Sequence, residues 1–286
     1  MTRAFLSLGV VAIGCLLAGC QGQVSAELTT ERPADGSLRQ VVASLAGLEF
    51  EKADGTTKQV AFTANKLVNL NGFQNGSLLS LLANESLPEG TYTGVRLVFD
   101  TDTAGRFVSD SLARRFSLQL AAGSYADFDF KVEKDKSSRA EIILTLDLRQ
   151  SLRFEGATGL FTLAPYLRSV PTADASTIAG TVSVTCDAGT SLASGGAVYL
   201  YRGVDLVPDD RDGSGIEPYA TGVVTLNSVT GVYSYRVLDL PAGDYTVAAT
   251  CDGLLENPVT DDVLVFRGIR NVKVARNDTL TADLAN

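Results

Sequence analysis

Short segments in which apolar and polar residues alternate at every second position constrain the fold of this chain most. Residues 116–120 place Phe, Leu and Leu at every second position, and residues 128–132 place Phe, Phe and Val there. Residues 95–99 and 142–148 repeat the pattern. Because successive side chains of a β-strand point to opposite faces, each segment has one face that can be buried. The pattern predicts an all-β fold of antiparallel strands.

Turn residues separate these segments. Asp54-Gly55, Asn71-Gly72 and Asn75-Gly76 are typical of tight turns, because Asn, Asp and Gly tolerate positive φ. Residues 77–83 are the one segment for which the sequence predicts a short helix.

Two β-sandwich domains are expected, over residues 37–170 and 177–286, with a small polar linker at 171–176. The second region contains seven or eight short apolar segments in about 110 residues, which is typical of an immunoglobulin-like or transthyretin-like sandwich. An apolar fraction of 45% suffices for one large or two smaller cores.

The first nineteen residues have the features of an export signal. Thr2 and Arg3 precede an apolar run over residues 6–17, which is too short to span a bilayer comfortably. Residues 17–20, Leu-Ala-Gly-Cys, resemble the lipobox of bacterial lipoproteins. That resemblance implies cleavage after residue 19 and a diacylglycerol on Cys20, usually with a third acyl chain on its amine.

Other readings of this segment stay open: an ordinary secretory leader, an uncleaved anchor, or cleavage before Cys15. Gln21 in place of Asp favours sorting to the outer membrane, on either of its faces. Residues 20–36 are polar and contain Pro33, so they predict a flexible tether between lipid and folded body.

Cys186 and Cys251 are the two cysteines left in the exported body. In an oxidising compartment they predict one disulfide, worth at most about 4 kcal/mol by chain entropy. The alternative is two buried, unpaired thiols.

Two family resemblances follow. Residues 87–98, Leu-Pro-Glu-Gly-Thr-Tyr-Thr-Gly-Val-Arg-Leu-Val, resemble the hallmark strand of a bacterial lipoprotein family known as domain of unknown function 4382, which would cover residues 37–170. Gly180-Thr181-Val182 and residues 240–247 resemble carboxypeptidase regulatory-like modules, which are noncatalytic accessories of transthyretin type. Neither resemblance implies an active site.

The composition excludes several kinds of chemistry. The chain contains no histidine, which removes imidazole-dependent triads and histidine metal ligands. A net charge of −9 argues against nucleic-acid binding. A carboxylate pair that hydrolyses glycosidic bonds stays open, although no pair can be singled out among 33 acidic residues.

One acidic loop has the spacing of a cation site. Asp210, Asp212, Ser214 and Glu217 offer hard oxygen atoms around a glycine, as Ca²⁺ prefers. The alternative is a solvated acidic loop, and no other cofactor is expected.

The sequence therefore predicts a noncatalytic, lipid-anchored envelope lipoprotein that binds, adheres or assembles, with an envelope protein or a glycan as partner. Two alternatives are a carbohydrate-binding or carbohydrate-active protein that uses loop carboxylates, and a purely structural envelope component.

Overall fold

The N-terminal half of the chain forms two sheets that share one hydrophobic core. The computed structural model describes residues 22–286 apart from residues 103 and 134–136. The elements of this half are β1 Gly22–Glu31, β2 Leu38–Lys52, β3 Thr57–Asn69, β4 Leu79–Leu87, β5 Gly90–Phe99, β6 Phe107–Asp110, β7 Arg115–Leu120, β8 Ala126–Val132, β9 Arg139–Asp147, α1 Leu148–Ser151, β10 Leu152–Glu155, β11 Leu160–Leu163 and β12 Leu167–Pro171.

The smaller sheet has the strand order β12-β9-β1-β4, and the larger has the order β10-β11-β7-β6-β2-β5-β8 with β3 paired to β2. Side chains from both sheets, including Leu28, Phe50 and Tyr92, meet in the common core. Most ladders are antiparallel, but β1 runs parallel to β9 and β11 runs parallel to β7. We call this unit the N-terminal sandwich.

The C-terminal half forms a second pair of sheets around its own core. Its elements are β13 Ser176–Ser183, α2 Leu192–Gly195, β14 Ala197–Arg202, β15 Ala220–Val223, β16 Thr225–Leu226, β17 Tyr233–Leu240, β18 Gly243–Thr250, β19 Phe266–Val274, β20 Thr279–Thr281 and β21 Leu284–Ala285. One sheet has the order β16-β17-β13-β20, with β21 also on β13, and the other has the order β15-β14-β18-β19. We call this unit the C-terminal sandwich. The all-β sandwich architecture expected from the alternating pattern is confirmed.

The two sandwiches are joined by a short connection. A single 3₁₀ turn, Thr172–Asp174, lies between β12 and β13. The cores on its two sides are separate, one built from residues 24–167 and the other from residues 178–284. None of the helices in the described part of the chain is long and apolar enough to cross a membrane.

The disulfide predicted from the sequence is present. Cys186 and Cys251 are bonded, with their Cα atoms 5.7 Å apart. Cys186 follows β13 and Cys251 follows β18 directly, so the bond links the two sheets of the C-terminal sandwich.

The prediction of a flexible tether over residues 20–36 is wrong for most of that segment. Residues Gly22–Glu31 form β1, which lies between β9 and β4 in the smaller sheet. Val24, Ala26 and Leu28 are fully buried. The hydroxyl of Thr30 donates to the carbonyl of Leu70 over 2.7 Å, which allows a polar side chain to be buried in this strand.

The prediction of a short helix at residues 77–83 is also wrong, because residues 79–83 belong to β4. The strand pairs with β1, and its register is interrupted twice by bulges. Leu81 and Leu82 are consequently both buried, and Asn84 adopts a φ of 55°. A bulge breaks the two-residue alternation, and the broken pattern resembles helical spacing.

Candidate functional site

The contact between the two sandwiches is a buried polar network centred on Asp147. Its carboxylate caps α1, accepting hydrogen bonds from the backbone N–H of Arg149 (3.1 Å) and of Gln150 (3.2 Å). The same group accepts from the backbone N–H and the hydroxyl of Thr221 in the C-terminal sandwich, over 3.1 and 2.8 Å. Asp147 is 0% exposed. One carboxylate therefore fixes a helix end and the neighbouring sandwich together.

Arg168 crosses the same interface. Its guanidinium lies 3.5 Å from the carboxylate of Glu31 and 3.9 Å from that of Asp147, and it donates to the carbonyl of Leu238 over 3.1 Å. Asp239 also acts on this group, so that one cation faces three carboxylates. Burial and this excess of negative charge raise the pKa of Glu31 to about 8, and burial raises the pKa of Asp239.

We expect Glu31→Gln to flatten the pH dependence of stability. The folded protein retains a proton on Glu31 up to about pH 8, whereas the unfolded chain releases it near the ordinary pKa of 4.5. This stabilisation is complete below pH 4.5 and is lost as the pH rises towards 8. Thermal unfolding between pH 5 and 8 should show a smaller decrease in Tm for the variant than for the wild type. The exposed Glu141→Gln control should follow the wild type, and equal decreases in all three proteins would contradict the assignment.

A cleft of about 450 Å³ lies between the sandwiches. The N-terminal side presents the ring of Phe154, which is 49% exposed and packs 4.7 Å from the ring of Phe161. The C-terminal side is the loop segment 254–257. Arg114, which pairs with Asp110 at 2.6 Å, also lines it. The cleft thus combines an exposed aromatic ring with charged groups, as ligand-binding clefts do.

The four predicted cation ligands are not brought together. The carboxylate of Asp212 is engaged locally, accepting from the backbone N–H of Ser214 over 2.7 Å and from its hydroxyl. Glu217 lies 3.0 Å from the guanidinium of Arg211 and accepts from a backbone N–H. Of these four residues, only Asp210 is fully buried.

Asp210 instead meets two acids of a distant loop, Glu256 and Asp262. One oxygen from each of the three carboxylates lies within 4.8 Å of the others. We call Asp210, Glu256 and Asp262 the carboxylate cluster. Asp210 is 1% exposed and Glu256 is 7% exposed. Burial raises the pKa of Asp210 to about 6 and the pKa of Glu256 to about 7.

Sequence reasoning missed Glu256 and Asp262, as well as the interface residues Asp147 and Arg168. Nothing in their local sequence distinguishes them from the other charged residues, because their significance arises from contacts with residues far along the chain. Cys20, the expected lipidation site, lies outside the described residues.

The protein is a modular all-β protein, because each of its two sandwiches has its own core. The sequence matches the family described as Domain of unknown function (DUF4382) over residues 21–165, and the chain belongs to this family. The match begins at residue 21 rather than 37, which agrees with β1 being part of the folded unit. No curated protein matches the sequence.

Several solved structures are similar at low identity. The Bacillus anthracis TIE protein is 13% identical, with a TM-score of 0.23, over 92% of this chain and 34% of that one, so the chain spans about a third of it. The minor pilin of Streptococcus agalactiae is 14% identical, with a TM-score of 0.22, over 92% and 94% of the two chains. A putative cell adhesion protein from Bacteroides fragilis is 10% identical, with a TM-score of 0.21, over 92% of each chain. At TM-scores this low, none of these likenesses bears on function.

Proposed function

We propose that this protein is a noncatalytic lipoprotein of the bacterial outer membrane that binds a ligand or partner in the cleft between its sandwiches. The observation that carries the binding role is the cleft itself, where the half-exposed ring of Phe154 faces loop segment 254–257. An exposed aromatic ring costs free energy in water, and this cost is recovered when a partner covers it.

The resemblance of residues 17–20 to a lipobox and the position of β1 support the proposed lipid anchor. Cys20 precedes the start of β1 at Gly22 by two residues, which span at most about 7 Å. A lipid on Cys20 would therefore hold the N-terminal sandwich directly against the membrane. In this proposal the C-terminal sandwich is an accessory module of transthyretin type, fixed to the first by the Asp147 network.

The noncatalytic assignment rests on the side chains available for chemistry. The chain has no histidine, and its two body cysteines are bonded to each other. Among the described residues, the carboxylate cluster brings three acids together, but Asp210 is 1% exposed. A sugar ring cannot reach between carboxylates that are buried to this extent.

A photo-crosslinking experiment in cells tests the cleft. A photoreactive phenylalanine analogue at position 154 of the full chain should give a defined adduct with an envelope component. The same analogue at Leu226, which is 48% exposed on another surface, serves as the control. Adducts at position 226 but not at position 154 would contradict the proposal.

Carbohydrate binding is the second candidate function. It is favoured by the presence of Phe154 and the Asp110–Arg114 ion pair (2.6 Å) in the same cleft, because sugars stack on aromatic rings while polar groups bond their hydroxyls.

We expect the mature protein to bind a defined glycan on an array, and Phe154→Ala to weaken that binding at least tenfold. Covering a large apolar side chain contributes about 1.5–3 kcal/mol, and each 1.4 kcal/mol corresponds to about tenfold in Kd. Leu226→Ala should leave the Kd unchanged. Release of a shortened glycan would overturn the noncatalytic assignment, and the absence of any bound glycan would reject this second candidate.

A further inference from the structure

The carboxylate cluster lies where two long loops meet over one sheet of the C-terminal sandwich. Asp210 belongs to the loop between β14 and β15, whereas Glu256 and Asp262 belong to the loop between β18 and β19. Beneath these loops is a small apolar cluster, formed by Ala197, Tyr199 and Tyr201 with Leu206, Leu264 and Phe266. This apolar area is small, so other interactions between the loops must contribute to their order.

Five of the six carboxylate oxygens of the cluster accept a hydrogen bond, and one does not. The backbone N–H of Asn257 and the hydroxyl of Thr260 donate to Asp262 over 2.6 and 3.1 Å. The backbone N–H of Asp262 donates to Oδ2 of Asp210 over 2.7 Å, and that of Arg211 donates to Oε1 of Glu256 over 3.2 Å. The hydroxyl of Tyr199 donates to Oε2 of Glu256. Oδ1 of Asp210 has no hydrogen-bond partner, although the residue is 1% exposed.

An unpartnered carboxylate oxygen at this depth is costly, and the nearby cations do not compensate it. Arg149 acts on Glu256, but its guanidinium donates to the carbonyl of Gly253. The guanidinium of Arg211 pairs with Glu217 instead. Within the cluster, the charge of Arg149 therefore acts on Glu256 alone, and no cation among the described residues acts on Asp210. Three acids with oxygens within 4.8 Å of one another keep an excess of negative charge, which requires a proton or a metal ion.

We propose that Asp210, Glu256 and Asp262 bind one Ca²⁺ ion that joins the two loops. All three residues offer hard oxygen atoms, which Ca²⁺ prefers, and its flexible coordination accommodates ligands from two separate loops more readily than the strict octahedron of Mg²⁺ does. Oδ1 of Asn257, which is also buried and unpartnered, is a further neutral oxygen on the same loop. Asp212 and Glu217 lie outside the carboxylate cluster and are not ligands of this site.

The ion would also order one side of the cleft. Glu256 and Asn257 belong to the segment 254–257 that lines it, and Leu255, 60% exposed, projects from the same segment. Binding of Ca²⁺ would therefore reduce the mobility of this surface without contacting a ligand there.

Terbium luminescence of the mature full-length protein tests the site, because Tb³⁺ replaces Ca²⁺ and is sensitised by nearby tyrosine. The chain has no tryptophan, and Tyr199 contacts Glu256 directly. We expect saturable emission at one Tb³⁺ per chain, its displacement by CaCl₂, and a higher Tm when CaCl₂ is added to EDTA-treated protein.

Variants locate the ion. Asp210→Asn and, separately, Asp262→Asn should weaken binding at least tenfold, whereas Asp212→Asn should bind as the wild type does. Two variants are used because Asp210 is buried, so that Asp262→Asn tests the site independently of any effect of Asp210→Asn on folding. No saturable emission and no CaCl₂-dependent change in Tm for folded wild-type protein would overturn the proposal. Loss of binding in Asp212→Asn with retention in Asp262→Asn would overturn it equally.

Discussion

Asp147→Ala is expected to lower the free energy of unfolding by about 3–5 kcal/mol, because it removes one partner of a buried ionic network. The variant loses the cap of α1 and both hydrogen bonds from Thr221. It also leaves Arg168, whose side chain is 2% exposed, with fewer compensating charges. Urea unfolding followed by circular dichroism measures the change.

Asp187→Ala is the matched control for this variant. Asp187 forms an ion pair of 2.8 Å with Arg267, but its side chain is 60% exposed, so we expect a loss below about 1 kcal/mol. A loss for Asp147→Ala no larger than the loss for Asp187→Ala would show that the interface network does not stabilise the protein.

Leu28→Ala is expected to cost about 2–5 kcal/mol, because it leaves a cavity in the core of the N-terminal sandwich. Leu28 is fully buried in β1, between strands β9 and β4. The measurement is again urea unfolding, and the half-exposed Leu226→Ala is the control. If residues 20–36 were a tether, both substitutions would have equally small effects, and that outcome would contradict the assignment of β1.

Strands with strict alternation could be predicted from the sequence. Residues 116–120 form β7 and residues 128–132 lie within β8, and in both the apolar positions face the core. The two Leu-Pro-x-Gly-x-Tyr corners also behave alike. The hydroxyls of Tyr92 and Tyr245 each donate over 2.7 Å to the carbonyl of the proline four residues earlier.

Strands in which apolar and polar residues do not alternate strictly could not be predicted from the sequence. In β1 the buried positions include the small residue Ala26 and the polar residues Thr29 and Thr30. The burial of the two threonines depends on hydrogen bonds to a turn forty or more residues away. In β4 the bulges place Leu81 and Leu82 both inside. Tertiary contacts decide these cases, and a single sequence does not display them.

The candidate sites also include some residues that could be predicted from the sequence and others that could not. The cysteine pair could be predicted, because few cysteines were available to pair. Asp210 was identified as a candidate ligand, but its partners lie in another loop, forty-six or more residues along the chain. The Asp147 network likewise joins residues of the two sandwiches that only the fold brings into contact.

We propose that a lipid on Cys20 lies immediately before β1 and holds the folded body at the membrane surface. Mass spectrometry of the mature protein purified from membranes tests this arrangement. We predict an N-terminal peptide that begins at Cys20, carries a diacylglycerol on its sulfur and continues with Gln21 and Gly22. An unacylated N-terminus, or a terminus within β1, would contradict the account.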